Sequence, residues 1–189
     1  DSEPDFIITK ARTTISPAIS EAWPAFHSSL TNNNIAYLDK TYAAGSGNKT
    51  SVYSDPTTTS TTFGIGNWRG INQSGTVYMA YCFHSVDGKQ KVGSYVGTGS
   101  DQSITGLGFQ PNVLIIKCTT LSGSWSITDS VRGNTKRLRP NSDAAEDTPS
   151  SVRVLSFDSD GFTLKGTTST DGPGNKSGET FIYVAFKIT

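Results

Sequence analysis

Charge is scarce in this chain. Asp, Glu, Lys and Arg make up 17% of its 189 residues, against a usual ~25%. The 16 basic and 16 acidic residues cancel to a formal net charge of zero, so the broad positive field needed for general nucleic-acid or anionic-membrane binding is missing. No apolar run approaches the ~18 residues of a membrane-spanning helix, and no signal-peptide pattern is visible. Neither nucleic acid nor membrane is therefore expected as a partner. Histidine occurs only at 27 and 84. A Ser-His-Asp site needs three side chains converging from different elements, and serine is too common here for any one to signal a nucleophile, so no enzyme activity and no catalytic residue is expected. Cys82 and Cys118 are the only cysteines. Each lies in an apolar strand pattern, and their spacing suits no metal site. Two buried thiols are the expectation, with no metal and no cofactor.

Ser, Thr, Asn and Gly fill the space that charge leaves, the profile of a β-rich surface protein with many turns. The most apolar run is Phe109 to Lys117, and it has an echo. Pro4-Asp5-Phe6-Ile7-Ile8-Thr9-Lys10 answers Pro111-Asn112-Val113-Leu114-Ile115-Ile116-Lys117 at an offset of 107. Trp23 answers Trp125 at 102, Thr41-Tyr42-Ala43-Ala44 answers Ser142-Asp143-Ala144-Ala145 at 101, and Phe63 answers Phe162 at 99. Asn72-Gln73-Ser74-Gly75 answers Asn175-Lys176-Ser177-Gly178 at 103, and Tyr78-Met79-Ala80-Tyr81 answers Tyr183-Val184-Ala185-Phe186 at 105. Six matches in unbroken order read as a tandem duplication. The copies differ at their start. Residues 92–109 open the second copy, whereas the first has only Asp1-Ser2-Glu3 before its proline. That shortage, with no initiator methionine, reads as the C-terminal part of a longer product, or as a first copy that never carried the opening.

Short β-branched and aromatic runs separated by Gly, Pro, Asn and Asp turns, with no helical period, place the chain in the all-β class. The expectation is two tandem β-sandwich or jelly-roll-like modules from an internal duplication, residues 1–85 without the opening strands and residues 86–189 with them. Asp87-Gly88 supplies the turn between them. Phe6, Ile8, Val113, Ile115, Ala80 and Ala185 are expected in the cores. The edge beside Phe6 to Lys10 is expected to need cover from a neighbouring subunit, a preceding segment or the Thr57–Thr62 run, since long edges are seldom left bare.

Three constellations carry the functional candidates. Trp68, Tyr53 and Tyr95, with Tyr42, sit near Gly- or Thr-rich loops, where an aromatic face beside polar groups holds a sugar or a partner. Arg132, Lys136, Arg137 and Arg139 form the one basic cluster and could meet an acidic partner surface or an anionic sugar. Asp143, Glu146 and Asp147 follow directly, so a self-paired loop explains the cluster equally simply. Asp158-Ser159-Asp160-Gly161 opens like a calcium loop, but Ser169 stands where the bidentate Glu belongs, and a hairpin turn accounts for it. Sequons occur at Asn48, Asn72 and Asn175. The matched pair Asn72 and Asn175 is read as capping a turn before each copy's last strand.

The run Tyr81-Cys82-Phe83, Gly93-Ser94-Tyr95-Val96-Gly97-Thr98-Gly99, Gly108-Phe109-Gln110-Pro111, Trp125, Asp129-Ser130-Val131-Arg132-Gly133, Pro140-Asn141-Ser142, Asp160-Gly161-Phe162 and Ser177-Gly178 resembles a repeated β-rich module of bacteriophage virion proteins. Marine phages and prophages carry it in tail-fibre-like or virion-surface proteins, often behind a concanavalin-like lectin domain. The resemblance covers nearly the whole chain and is closer in the second copy. It implies a non-enzymatic structural role on the particle, as tail appendage, fibre or capsid-surface decoration. Its partners would be other virion proteins, further copies of itself, or a host-surface glycan. Its location would be the virion, assembled in the host cytoplasm. A carbohydrate-binding module for host recognition and a subunit of a homopolymeric filament are the alternatives.

Overall fold

The computed structural model of the chain describes residues 2–13, 22–30, 34–45, 52–53, 58–151 and 153–188. Asn48 and Thr57 lie outside them. Among the described residues the protein is all-β, with eleven strands. It divides into two compact units, Asp1–Lys40 with Ala44–His84, and Thr41–Ala43 with Ser85–Thr189. The division falls one residue before the expected 85/86 boundary, and three residues of the first copy belong to the second unit.

The first unit contains β1 (Phe6–Ala11), β2 (Pro24–His27), β3 (Ala36–Tyr37) and β4 (Tyr78–Phe83) in one antiparallel sheet of order β3-β2-β1-β4. Strand β1 is central. Phe6 stands opposite His27 of β2 on one side and Phe83 of β4 on the other. The edge expected to be bare beside Phe6 to Lys10 is thus filled on both sides, and β4 is the edge instead. The core of this unit gathers Ile7, Ile35, Val52, Tyr53 and Ile71, with Phe26, Tyr37, Phe63 and Trp68 packed against them. The threonine run forms no strand where it is described. It is a tight turn in which the Thr59 N–H donates to Thr62 O at 2.6 Å and Thr59 Oγ1 accepts the N–H groups of Thr61 and Thr62.

The second unit has β5 (Gln90–Val96), β6 (Gln102–Thr105), β7 (Val113–Cys118), β8 (Ser126–Asp129), β9 (Val154–Asp158), β10 (Gly161–Leu164) and β11 (Thr180–Phe186). They form a four-stranded sheet of order β5-β11-β7-β8 and a three-stranded sheet of order β6-β10-β9. One core joins the two sheets: Tyr95, Leu114, Ile116, Cys118, Phe181, Tyr183 and Ala185 from the first, Ile104, Val154, Phe162 and Leu164 from the second. Phe162 meets Tyr183 edge-on at 5.3 Å and 81°. Leu107 and Phe109, from the connection after β6, complete that core. The unit opens on the expected turn, where Gly88 takes φ +70° and the Gln90 N–H returns to Val86 O.

Burial corrects several expectations. Phe6, Ile8 and Ala185 are buried. Val113 and Ile115 are half-buried, because β7 turns Leu114 and Ile116 to the core and period-2 alternation sends their neighbours to the other face. Ala80 is exposed, and so is Cys82, while Cys118 is buried; both thiols are free. Lys117, the last residue of the apolar run, is 1% exposed. Its ammonium donates to Cys118 O at 2.6 Å and Thr41 O at 3.4 Å, and burial lowers its pKa to about 8.

Candidate functional site

The three aromatic candidates are core residues of two different units. Tyr53 is 4% exposed. Its hydroxyl donates to Pro24 O at 3.1 Å and lies 3.0 Å from Thr9 Oγ1, and burial pushes its pKa up, against a smaller lowering from the Thr9 bond. Tyr95 is 7% exposed, stacks on Phe181 at 5.0 Å and 4°, and donates to Gly174 O at 2.6 Å. Trp68 is half-buried, edge-on to Tyr37 at 6.3 Å, with its ring over Gly70, where an added Cβ would come within 2.2 Å. Tyr53 and Tyr95 are too deeply buried to present a free ring face, and Trp68 is half covered. Of the aromatics considered, Tyr42 alone stands well exposed, at 63%.

The basic cluster is paired within its own unit. Arg132 binds Asp129 at 2.5 Å and Glu146 at 2.8 Å, and Lys136 also reaches Glu146 at 3.2 Å. Arg137 is buried and grips Asp147 with two nitrogens, at 3.0 and 3.1 Å, while donating to Gly172 O at 3.2 Å. Arg139 adds a contact to Asp147 at 3.3 Å. Hydrogen bonding from Arg137, opposed in part by desolvation, holds the Asp147 carboxyl below the usual carboxylate range. Arg132 and Lys136 do the same for Glu146. Each cation is thus satisfied by the acidic stretch that follows, the arrangement of a structural loop.

The carboxylates of the Asp158–Gly161 turn are engaged as well. Asp160 accepts the Gly106 and Gly108 N–H groups at 3.0 and 2.7 Å, which lowers its pKa. Asp158 accepts the Thr163 hydroxyl at 2.7 Å. Asn175 is fully buried, with its Oδ1 accepting the Thr98 N–H at 2.8 Å and its amide donating to Ser100 O. It pins the end of β5 and is inaccessible to a glycosylating enzyme. Asn72 instead donates to Gly66 O at 2.9 Å.

The feature that sequence reasoning missed lies on β4. Four successive residues, Met79, Ala80, Tyr81 and Cys82, are exposed. Successive strand residues face opposite ways, so both faces of the strand are open. Met79 is 42% and Tyr81 48% exposed. Among the described residues no strand pairs with the side of β4 away from β1. Ile7 belongs to the core and stands opposite Cys82; directly opposed residues share a face, so the core face itself is uncovered here. At the end of β4 lies an open hollow of about 200 Å³, walled by Pro4, Phe63, Cys82, Phe83, His84 and the Thr59–Thr62 turn. Nothing in the residues signals this exposure, because Tyr78-Met79-Ala80-Tyr81-Cys82-Phe83 carries no charge and exposed edges usually do.

A family model described as a domain of unknown function, DUF7483, matches residues 1–188. The chain belongs to this family. Neither a curated protein nor a solved structure matches it.

Proposed function

We propose that the chain is a tandem duplication of one β-sandwich module and serves as a non-enzymatic structural component of a bacteriophage virion, as a tail appendage or capsid-surface decoration. The observation that carries the duplication is a shared hydrogen-bond frame. Ala25 pairs with Ala36 and Ile127 with Leu138, at a constant offset of 102 (25 to 127, 36 to 138). The next bridge repeats that offset: Ile35 pairs with Gly45, and Arg137 with Asp147. The Trp23 N–H donates to Asp39 Oδ1 at 2.9 Å, and the Trp125 N–H to Asn141 Oδ1 at 2.7 Å. Phe6 and Val113 also hold one place, between His27 and Phe83 in one unit and between Asp129 and Phe186 in the other.

The last strands therefore match at Phe83 and Phe186, two residues from the alignment of Tyr78 with Tyr183 in the sequence echo. A two-residue slip leaves every side chain on its face. The virion assignment draws on the resemblance of the residues, and the geometry favours a scaffold. Side chains that could do chemistry, from the arginines to the turn carboxylates, are bound to their own loops. Mass spectrometry of gradient-purified particles and gold labelling tests the assignment. Label on tail or capsid is expected; a protein confined to the soluble lysate overturns it. The open edge of β4 favours a second reading, the subunit of a filament built by strand addition. The geometry gives the glycan reading no support at Trp68, Tyr53 or Tyr95.

A further inference from the structure

We infer that β4 is an acceptor edge for an added strand, and that its occupant is a β5-type segment, with the pattern of residues 90–109, added antiparallel. The second unit shows what belongs at this place. There β5 lies along β11, pairing Tyr95 with Phe181, Gly93 with Tyr183 and Lys91 with Ala185. After β5, the chain runs through β6 to Leu107 and Phe109, which enter the core. With that cover, five successive residues of β11 are buried. Strand β4 holds the same position beside β1 but among the described residues has no such neighbour, and its middle four residues are exposed. Phe109 is two residues before Pro111, as Ser2 is two before Pro4. Phe109 is buried at 3%, and Ser2 lines the hollow beside Phe83. Among the described residues the edge, the uncovered core face and the hollow adjoin one another, and residues 90–109 have the length and pattern that fit them.

Strand addition supplies main-chain hydrogen bonds, and the side-chain pattern supplies choice of partner. Carrying the β5–β11 register onto β4 through the Phe83–Phe186 match sets Tyr95 of a donor opposite Tyr78, Gly93 opposite Ala80 and Lys91 opposite Cys82. This role rests on the duplication and not on the virion assignment. A failed peptide experiment leaves particle location untouched, and absence from particles leaves the acceptor edge untouched.

The test uses the full chain and a synthetic peptide of residues 90–109, with a Ser94→Pro/Tyr95→Pro peptide as control. Proline at adjacent positions removes a ladder donor whichever way the strand faces. Hydrogen exchange at amides 78–83 should slow at least tenfold with the peptide and not with the control. A Lys91→Cys peptide should form a disulfide with Cys82 in oxidised glutathione at least tenfold faster than a Val92→Cys peptide, whose side chain faces the other way. Equal rates, or unchanged exchange, overturn the inference. So does a free chain that already protects these amides, whether as a self-capped monomer or as a dimer joined through β4 of a second copy.

Discussion

Strands β4 and β11 hold like places in their sheets, and their surroundings could hardly differ more. Both run antiparallel to an apolar strand that follows a proline, beside Phe6 in one unit and Val113 in the other. Both are rich in aromatic and apolar residues, Tyr-Met-Ala-Tyr-Cys-Phe against Thr-Phe-Ile-Tyr-Val-Ala-Phe. Yet β11 is buried through its middle and β4 is exposed there. The difference comes from residues outside either strand. A β-strand acquires a core only when another layer lies on its face, and in the second unit residues 90–109 provide the neighbour strand and part of that layer. A main-chain frame can thus persist where the apolar cover is incomplete.

The largest expected effect comes from cutting the second unit's core. Phe162 is wholly buried between the sheets, so Phe162→Ala should cost about 3–5 kcal/mol. Phe63, its echo, is half-buried beside the hollow, and Phe63→Ala should cost less than about 2 kcal/mol. Urea titration followed by hydrogen exchange in each unit separates the two. Equal costs would break the comparison by showing that the first unit is as well covered as the second.

Lys117 gives the next effect, through pH. Its pKa is lowered to about 8 from 10.5 by burial. Between those values the unfolded chain holds a proton that the folded chain lacks, so stability rises with pH across the window and the charging penalty is present in full below it. The gain should reach at most roughly 3.5 kcal/mol, at about 1.4 kcal/mol for each tenfold change in proton affinity. Lys117→Met should remove it. Stability curves of the two proteins should converge or cross between pH 8 and 10.5, and parallel curves would show that the ammonium is solvated.

The alanines sharpen the comparison between β4 and β11. Ala185 is 0% exposed, so Ala185→Leu should overpack its site by about 1–3 kcal/mol. Ala80→Leu and Cys82→Leu, on the open strand, should stay within about 0.5 kcal/mol in the isolated chain. Thermal melts of the three variants decide this. A large cost at Ala80 would mean that β4 is covered in solution.

These pairs also mark what could be read from the residues. The all-β class and the ordered echo were legible because turn residues and apolar runs recur at matched places. The inward parity of β7 was not, since Val113, Leu114, Ile115 and Ile116 are all apolar and alternation vanishes. Ala80 and Ala185 stand in like sequence contexts, yet Ala185 is covered with the help of residues 90–109, distant from it in the chain, and Ala80 is exposed. Tyr95 beside glycines looked like a presented ring. Its hydroxyl instead reaches Gly174 O, a long-range hydrogen bond between Tyr95 and Gly174 that no local pattern encodes.

The smallest effect expected here separates two bridges at the same place in the frame. The first unit builds it from Ile35 and Gly45, the second from Arg137 and Asp147. The backbone bonds are alike, so the difference lies in the side chains. Arg137 is buried and fixes Asp147 with two nitrogens. Its hydrogen bonds hold the Asp147 carboxyl below its ordinary value, against the opposing pull of desolvation. A carboxyl depressed in the folded state contributes stability above its unfolded pKa, and that contribution is lost as pH falls through the folded value. Acid should therefore loosen the Arg137–Asp147 bridge below about pH 4 and leave the Ile35–Gly45 bridge unaffected. Asp147 is one-third exposed, which screens the pair and limits the effect to about 1 kcal/mol. Asp147→Asn should lower stability at pH 7 by a similar amount and flatten the acid limb. Amide exchange at 137 and 147, compared with 35 and 45 from pH 6 down to pH 3, measures it directly. Equal acceleration at both bridges would assign the acid sensitivity to the frame as a whole and not to this ion pair.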